Sequence, residues 1–157
     1  MKNLIIVRHG SYHSSEDDGG LTDFGMKQIQ KLGESTKMNF NGSFYFCCSP
    51  LLRTKQSAKK LQDMCGGGLE ILDVLNNEYE NLFTNPNYPG QAERIHAAVL
   101  ERENTVDNLV LVAHYSIKDY IEHYMEQEWQ MKKEIANISK GKAINLDLEN
   151  RIHKVIP

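Results

Sequence analysis

With 157 residues, 40% of them hydrophobic and 25% charged, the chain has room for one sizeable core and little room for a second. Its net charge of −3 gives no basic footprint for nucleic acid, and no apolar run approaches the ~20 residues of a membrane span. The cysteines, Cys47, Cys48 and Cys65, are odd in number and adjacent strand residues point to opposite faces, so reduced core thiols are expected rather than a disulfide framework.

The first residues lead directly into a strand without a signal-peptide pattern, so a cytoplasmic protein is expected. That strand is Asn3 to Arg8, where the apolar run Leu4-Ile5-Ile6-Val7 ends abruptly at Arg8-His9-Gly10. Ser11 to Gly20 reads as an exposed, turn-rich loop in which Asp17-Asp18 is a solvated turn. Thr22 suits a helix N-cap with Asp23 in the first turn, and Leu21, Gly25, Ile29 and Leu32 share one helical face. Gly25 weakens that helix, which predicts close packing as its reason. Ser43 to Cys48 reads as a second buried strand. It stops at Ser49-Pro50, where serine as N-cap and proline at the first helical position predict a helix to about Met64, burying Leu51, Ala58 and Leu61.

Gly66-Gly67-Gly68 reads as a flexible turn, since it lacks the lysine and Ser/Thr of a P-loop. Leu69 to Val74 follows as a third strand, Asn76 to Gly90 as a loop, and Gln91 to about Glu103 as a helix burying Ala92, Ile95 and Val99. Asn108 to Ala113 is the fourth strand and ends in His114. Ser116 suits the cap of a helix burying Ile117, Tyr120, Ile121 and Tyr124, with a further helical segment around Trp129 to Ile138. Lys142 to Leu148 alternates like a half-exposed strand, Asn150 permits a turn, and Arg151 to Ile156 returns as an edge strand. Strands alternating with helices predict a single α/β domain over residues 1–157, with a mostly parallel central sheet flanked by helices.

Ligands of such a sheet bind outside the carboxyl ends of its strands. There the sequence places Arg8 and His9 after the first strand, a free helix N-terminus with Arg53 one turn in after the second, and His114 after the fourth. Arginine grips phosphate oxygens bidentately, helix N-termini offer unpaired N–H groups, and imidazole can take a phosphoryl group and release it to water. Concentrated positive charge disperses the charge of the transition state. A carboxylic acid must protonate the leaving group, and Glu78, with Glu80 in reserve, follows the third strand at the same edge. His13, His96, His123 and His153 have no such partners and are expected at the surface or in loops, and Trp129 and the tyrosines in the core or at edges.

Arg8-His9-Gly10, Leu21-Thr22-x-x-Gly25-x-x-Gln28, Ser49-Pro50-x-x-Arg53-x-x-Gln56-Ser57-Ala58 and Val112-Ala113-His114 together resemble the histidine phosphatase superfamily, the phosphoglycerate-mutase-like clan. The resemblance implies His9 as the nucleophile that becomes phosphohistidine, Arg8, Arg53 and His114 as the phosphate pocket, and Glu78 as the proton donor. It implies no metal and no organic cofactor. Two positions depart from the family pattern: Ser11 stands where an acidic or amide residue is frequent, and Tyr115 where glycine commonly follows the second histidine. Tyr115 keeps a backbone N–H for phosphate, while its side chain narrows or redirects the pocket. The short connection between Glu78 and His114 leaves no room for the large covering insertion of bigger relatives. The chain thus resembles the small single-domain phosphohistidine phosphatases, for which a phosphorylated protein is the expected substrate. A small phosphomonoester, a mutase reaction, or non-catalytic binding of a phosphorylated partner are the alternatives.

Overall fold

The computed structural model describes residues 1–77, 82–84 and 90–156. The elements follow in the order β1 Asn3–Arg8, α1 Asp23–Asn39, β2 Phe44–Cys48, α2 Leu52–Cys65, β3 Gly68–Ile71, α3 Gln91–Leu100, β4 Asn108–Ala113, α4 Ile117–Trp129, β5 Ala143–Asp147 and β6 Ile152–Ile156. The sheet order is β3-β2-β4-β1-β5-β6. Its first four strands in sequence run parallel, and β5 and β6 are antiparallel additions at one side.

Side chains of the central strands alternate between two cores, as the pleat requires. Ile5, Val7, Phe46, Cys48 and Val112 pack against Ile29 and Leu32 of α1 and Ala58 and Leu61 of α2. Leu4, Ile6, Cys47, Leu109 and Leu111 pack against Ile95 and Val99 of α3 and Ile117, Tyr120, Ile121 and Tyr124 of α4. Helices therefore cover both faces, the α/β architecture expected from the alternation of elements. Cys47 and Cys48 point into opposite cores, and all three cysteines are free thiols. Burial pushes the Cys47 thiol up to about 12 and the Cys48 thiol up to about 11, far from reactive thiolates.

Register decides where the chemistry lands. Arg8 lies opposite Ala113, so His9 and His114 leave neighbouring strands side by side. Cys48 lies opposite Val112, which brings Ser49 to the same level.

Four local expectations are corrected. Helix α2 begins at Leu52, with Leu51 as its N-cap and no capping side chain from Ser49. Its first N–H, that of Leu52, donates to Asp18 Oδ1 at 2.7 Å, so the exposed turn at Asp17-Asp18 is solvated as expected and also caps the helix. The third strand stops at Ile71, and Asp73–Leu75 is a 3-10 turn, because the partner strand β2 ends at Ser49-Pro50, where proline has no N–H to extend a ladder. No helix forms over 130–139. Gln130 turns left-handed at φ 54°, Ile135 N donates to Glu122 Oε1 at 2.8 Å, and Ile135 and Ile138 enter the core from irregular chain. Their helix-like spacing reflects two separate anchors. Finally, Ser116 precedes α4 without capping it, and its buried Oγ has no partner among the described residues. Among the described residues no helix is long and apolar enough to cross a membrane.

Candidate active site

At the carboxyl ends of β1 and β4 a cavity of about 160 Å³ is lined by Arg8, His9, Tyr12, Arg53, Asn77, His114 and Tyr115. The sequence-predicted Arg8, His9, Arg53, His114 and Tyr115 thus converge on one space. Ser11 is not among the lining residues; its backbone is occupied in holding the loop. Glu78 and Glu80 lie outside the described residues. Asn77, which immediately precedes Glu78, reaches the cavity and is buried.

The motif residues that do not touch the cavity fasten the loop that carries His9. Gly10 N donates to Ser57 Oγ at 3.2 Å, and Ser57 Oγ donates to Arg53 O at 2.7 Å, which ties the loop to α2. Ser11 N donates to Gln28 Oε1 at 2.9 Å, and Leu21 N to Gln56 Oε1 at 2.6 Å. Thr22 caps α1 by accepting from Gly25 N at 3.0 Å. A Cβ on Gly25 would run into the Ser11 carbonyl, and one on Gly10 would meet the Gly25 carbonyl oxygen at 2.7 Å. The loop after β1 and the start of α1 are therefore in direct backbone contact, the close packing expected at Gly25.

His9 is poised by one bond. Its Nδ1 lies 2.8 Å from Gly10 O, and a carbonyl only accepts, so Nδ1 carries the proton and Nε2 keeps a bare lone pair. Burial, then the charges of Arg53, Arg8 and Lys140 opposed by the Gly10 bond, hold the imidazole down to about 4, so it is neutral near pH 7. His114 is held down to about 3 by burial, then by His9, Arg53 and Arg8. The two rings meet edge to face with centroids 5.4 Å apart.

The tautomer of His114 follows from a chain of hydroxyls. Thr54 Oγ1 lies 2.9 Å from Ser49 O and 2.7 Å from Leu51 O, so its single proton goes to a carbonyl. Ser49 Oγ, 2.7 Å from Thr54 Oγ1, then donates to that oxygen. Ser49 Oγ must therefore accept from His114 Nε2–H at 2.8 Å, which leaves Nδ1 as the bare nitrogen of His114. Ser49 was a helix cap by sequence; its hydroxyl instead orients the second histidine.

Each arginine is stacked on a tyrosine. The Arg8 guanidinium lies 5.0 Å from the Tyr115 ring centroid, and its Nη1 donates to Ile138 O at 2.9 Å. Its Nε is buried and has no hydrogen-bond partner among the described residues. The Arg53 guanidinium lies 4.5 Å from the Tyr12 ring centroid. Contact with an aromatic face steadies each guanidinium without itself using an N–H donor, and both cations line the cavity. Tyr12 and Asn77 are the lining residues that the sequence reading missed. Both come from irregular segments with no periodicity to flag them; adjacency to Arg8-His9-Gly10 and to Glu78 is the only signal they offered.

A family model described as the histidine phosphatase superfamily (branch 1) matches residues 4–108. The match ends before His114, whose place in the site rests on the sheet register. No curated protein matches the chain. Among solved structures, a mycobacterial glucosyl-3-phosphoglycerate phosphatase aligns at TM-score 0.70 and 15% identity, covering 99% of this chain and 97% of that one. A protein assigned as the phosphohistidine phosphatase SixA of Agrobacterium tumefaciens aligns at TM-score 0.64 and 14% identity, covering 99% and 95%. The phosphoserine phosphatase of Entamoeba histolytica aligns at TM-score 0.65 and 15% identity, covering 100% and 96%. At such identities these likenesses establish a shared fold.

Proposed function

Because the chain belongs to the histidine phosphatase superfamily, we propose that it is a phosphatase that transfers a phosphoryl group to His9 and then to water. The observation that carries this reading is the bare Nε2 of His9 inside a cavity shared with Arg8, Arg53 and His114. In the first step His9 Nε2 forms a bond to phosphorus while the bond from phosphorus to the leaving group breaks. The leaving atom takes a proton from an acid, for which Glu78 is the candidate and Glu80 the reserve. In the second step water attacks phosphorus and gives its proton to that carboxylate. The P–N bond breaks, and inorganic phosphate leaves. Arg8 and Arg53 neutralise the equatorial oxygens throughout, and His114 adds a donor once a bound dianion draws a proton onto its Nδ1. No step calls for a metal or an organic cofactor.

The substrate reading follows from size. Pockets that enclose a small-molecule ligand usually hold about 300–1,000 Å³, against about 160 Å³ here. The cavity suits a phosphoryl group and little more, which favours a phosphorylated protein whose bulk rests outside. A small phosphomonoester is the second substrate class. We extend the same proposal to the whole of residues 1–157 as a single catalytic domain acting in the cytoplasm.

The test is intact-protein mass after brief, acid-free quenching with phenyl phosphate or a phosphohistidine protein. Wild type should carry one phosphoryl adduct, and His9→Ala should carry none and turn over nothing while remaining folded. Undiminished turnover by His9→Ala would remove the covalent mechanism. Reversible phosphate binding without turnover would reassign the chain as a binding module.

A further inference from the structure

The turn leading into β5 brings an additional cation to the nucleophile. Gly141 N donates to the carbonyls of both Arg8, at 3.1 Å, and His9, at 3.0 Å. Arg8 N donates to Lys142 O at 3.1 Å, and Lys142 N closes the turn on Ser139 O at 3.1 Å. Gly141 holds φ at +70°, where a side chain is disfavoured, and a Cβ there would press on the Gln28 side chain at 2.5 Å. The turn is therefore bolted to the end of β1.

Lys140 sits in the middle of this turn. Its Nζ lies 4.8 Å from the centroid of the Tyr12 ring, the same ring that supports the Arg53 guanidinium. The side chain is half-buried, and no acid among the described residues pairs with it. Its charge is felt at His9, where it adds to those of Arg53 and Arg8. An ammonium resting on an aromatic face makes a modest contact, and a charge-assisted bond to a phosphoryl oxygen is stronger. The long stem of lysine allows that exchange without moving the backbone.

We propose that Lys140 is a further substrate-binding residue, whose ammonium leaves the Tyr12 ring to meet an anionic oxygen of a phosphoryl group held over His9. The ligand class is a phosphoryl dianion, and the proposal rests on the reading of the cavity as a phosphoryl site. It gives Tyr12 a purpose as well: the ring is the resting place that keeps Lys140 close and extended while the cavity is open.

The experiment is calorimetric titration of inorganic phosphate into wild type, Lys140→Met, Lys140→Arg and Lys142→Met. Turnover of phenyl phosphate and urea unfolding are measured on the same samples. Lys142 is the control: it removes the same charge two residues away, and its side chain borders a separate cavity with Ile144 and His153. Lys140→Met should weaken phosphate roughly tenfold, the scale of one hydrogen bond to a charged group. KM for phenyl phosphate should rise by a similar factor, with the urea midpoint of the free protein unchanged. Lys140→Arg should recover part of the loss, and Lys142→Met should bind like wild type. Equal phosphate affinity in Lys140→Met and wild type would overturn the proposal, as would an equal loss in Lys142→Met, which would reduce the effect to overall charge. Normal wild-type turnover together with an inert Lys140→Met substitution removes only Lys140. A wild type that neither binds phosphate nor cleaves phenyl phosphate removes the phosphatase reading and this inference with it.

Discussion

The Ser49 hydroxyl illustrates how far a single atom's partners can shift a residue's meaning. Ser49-Pro50 reads as a helix start, yet Ser49 Oγ accepts from His114 Nε2 and passes its own proton to Thr54. Ser49→Ala should therefore lower kcat/KM about tenfold by freeing the tautomer of His114, while costing about 1–3 kcal/mol of stability for its two lost hydrogen bonds. Steady-state kinetics beside urea unfolding checks this, and unchanged kcat/KM would show that His114 is oriented by packing alone. Gly25→Ala tests the loop contact, since its methyl would strike the Ser11 carbonyl. It should destabilise the fold by about 1–3 kcal/mol, the usual cost of overpacking, and lower turnover through displacement of the His9 loop. Residues delivered by strand ends, Arg8, His9 and His114, were legible in the sequence because an apolar run stopping at a charged residue points to its own terminus. Tyr12 and Asn77 come from irregular chain, and Lys140, proposed beside them, from a turn, where no repeat distinguishes an inward side chain from an outward one. They become visible only when the chain is folded.

Helix ends carry the next level. α2 presents Arg53 from its first turn, and the loop after β1 supplies its cap through Asp18. Asp18→Ala should cost about 1 kcal/mol, a typical loss for an N-cap acceptor, and should raise KM more than it lowers kcat, because the start of the helix that aims Arg53 loosens. Equilibrium unfolding and kinetics on the same variant separate the two effects; a wild-type midpoint would show that the Leu52 N–H is equally well served by water. Most elements were readable: the apolar runs of β1, β2 and β4, the cap at Thr22, and the periodic faces of α1 and α4 all fall where pattern places them. The stretch 130–139 was not, because Ile135 and Ile138 mimic a helical stripe while tertiary anchors, among them Glu122, decide its path. The N-terminus of α2 misled for the opposite reason: its donor is satisfied by a residue distant in sequence.

For the molecule as a whole, the two buried histidines add a directed response to acid. Each is neutral in the folded state with its value held near 4 or 3, against about 6.5 when unfolded. The unfolded chain therefore takes up protons first as pH falls below about 6.5, and stability declines through that window, by up to about 1.4 kcal/mol per pH unit for each histidine. Urea midpoints between pH 7 and 4 should fall steeply in wild type and less steeply in His114→Asn; an unchanged slope would locate the acid sensitivity elsewhere. A bound dianion reverses the preference, since it favours imidazolium. Binding of sulfate, already a dianion near pH 6, should thus take up protons, which titration calorimetry in buffers of different ionisation enthalpy would read directly; no buffer dependence would mean that the histidines stay neutral against the anion.

The place of β1 in the sheet also sets an order in time. Its hydrogen-bonding neighbours are β4 and β5, with Arg8 opposite Ala113 and Val7 opposite Ala143, partners 105 and 136 residues further along the chain. Such pairings are entropically late, and a ribosome supplies them late as well. The strand that leads to His9, the proposed nucleophile, is synthesised before every other element of the fold described above and yet must wait for nearly all of them. A nascent chain halted at the end of α4 would already contain the Arg8-His9-Gly10 motif, Arg53 and His114, but neither the turn that brackets the end of β1 nor β5 itself. Capture of phosphate by a ribosome-bound series of lengthening chains should switch on only once β5 has cleared the exit tunnel, which makes catalytic competence a report on completed folding.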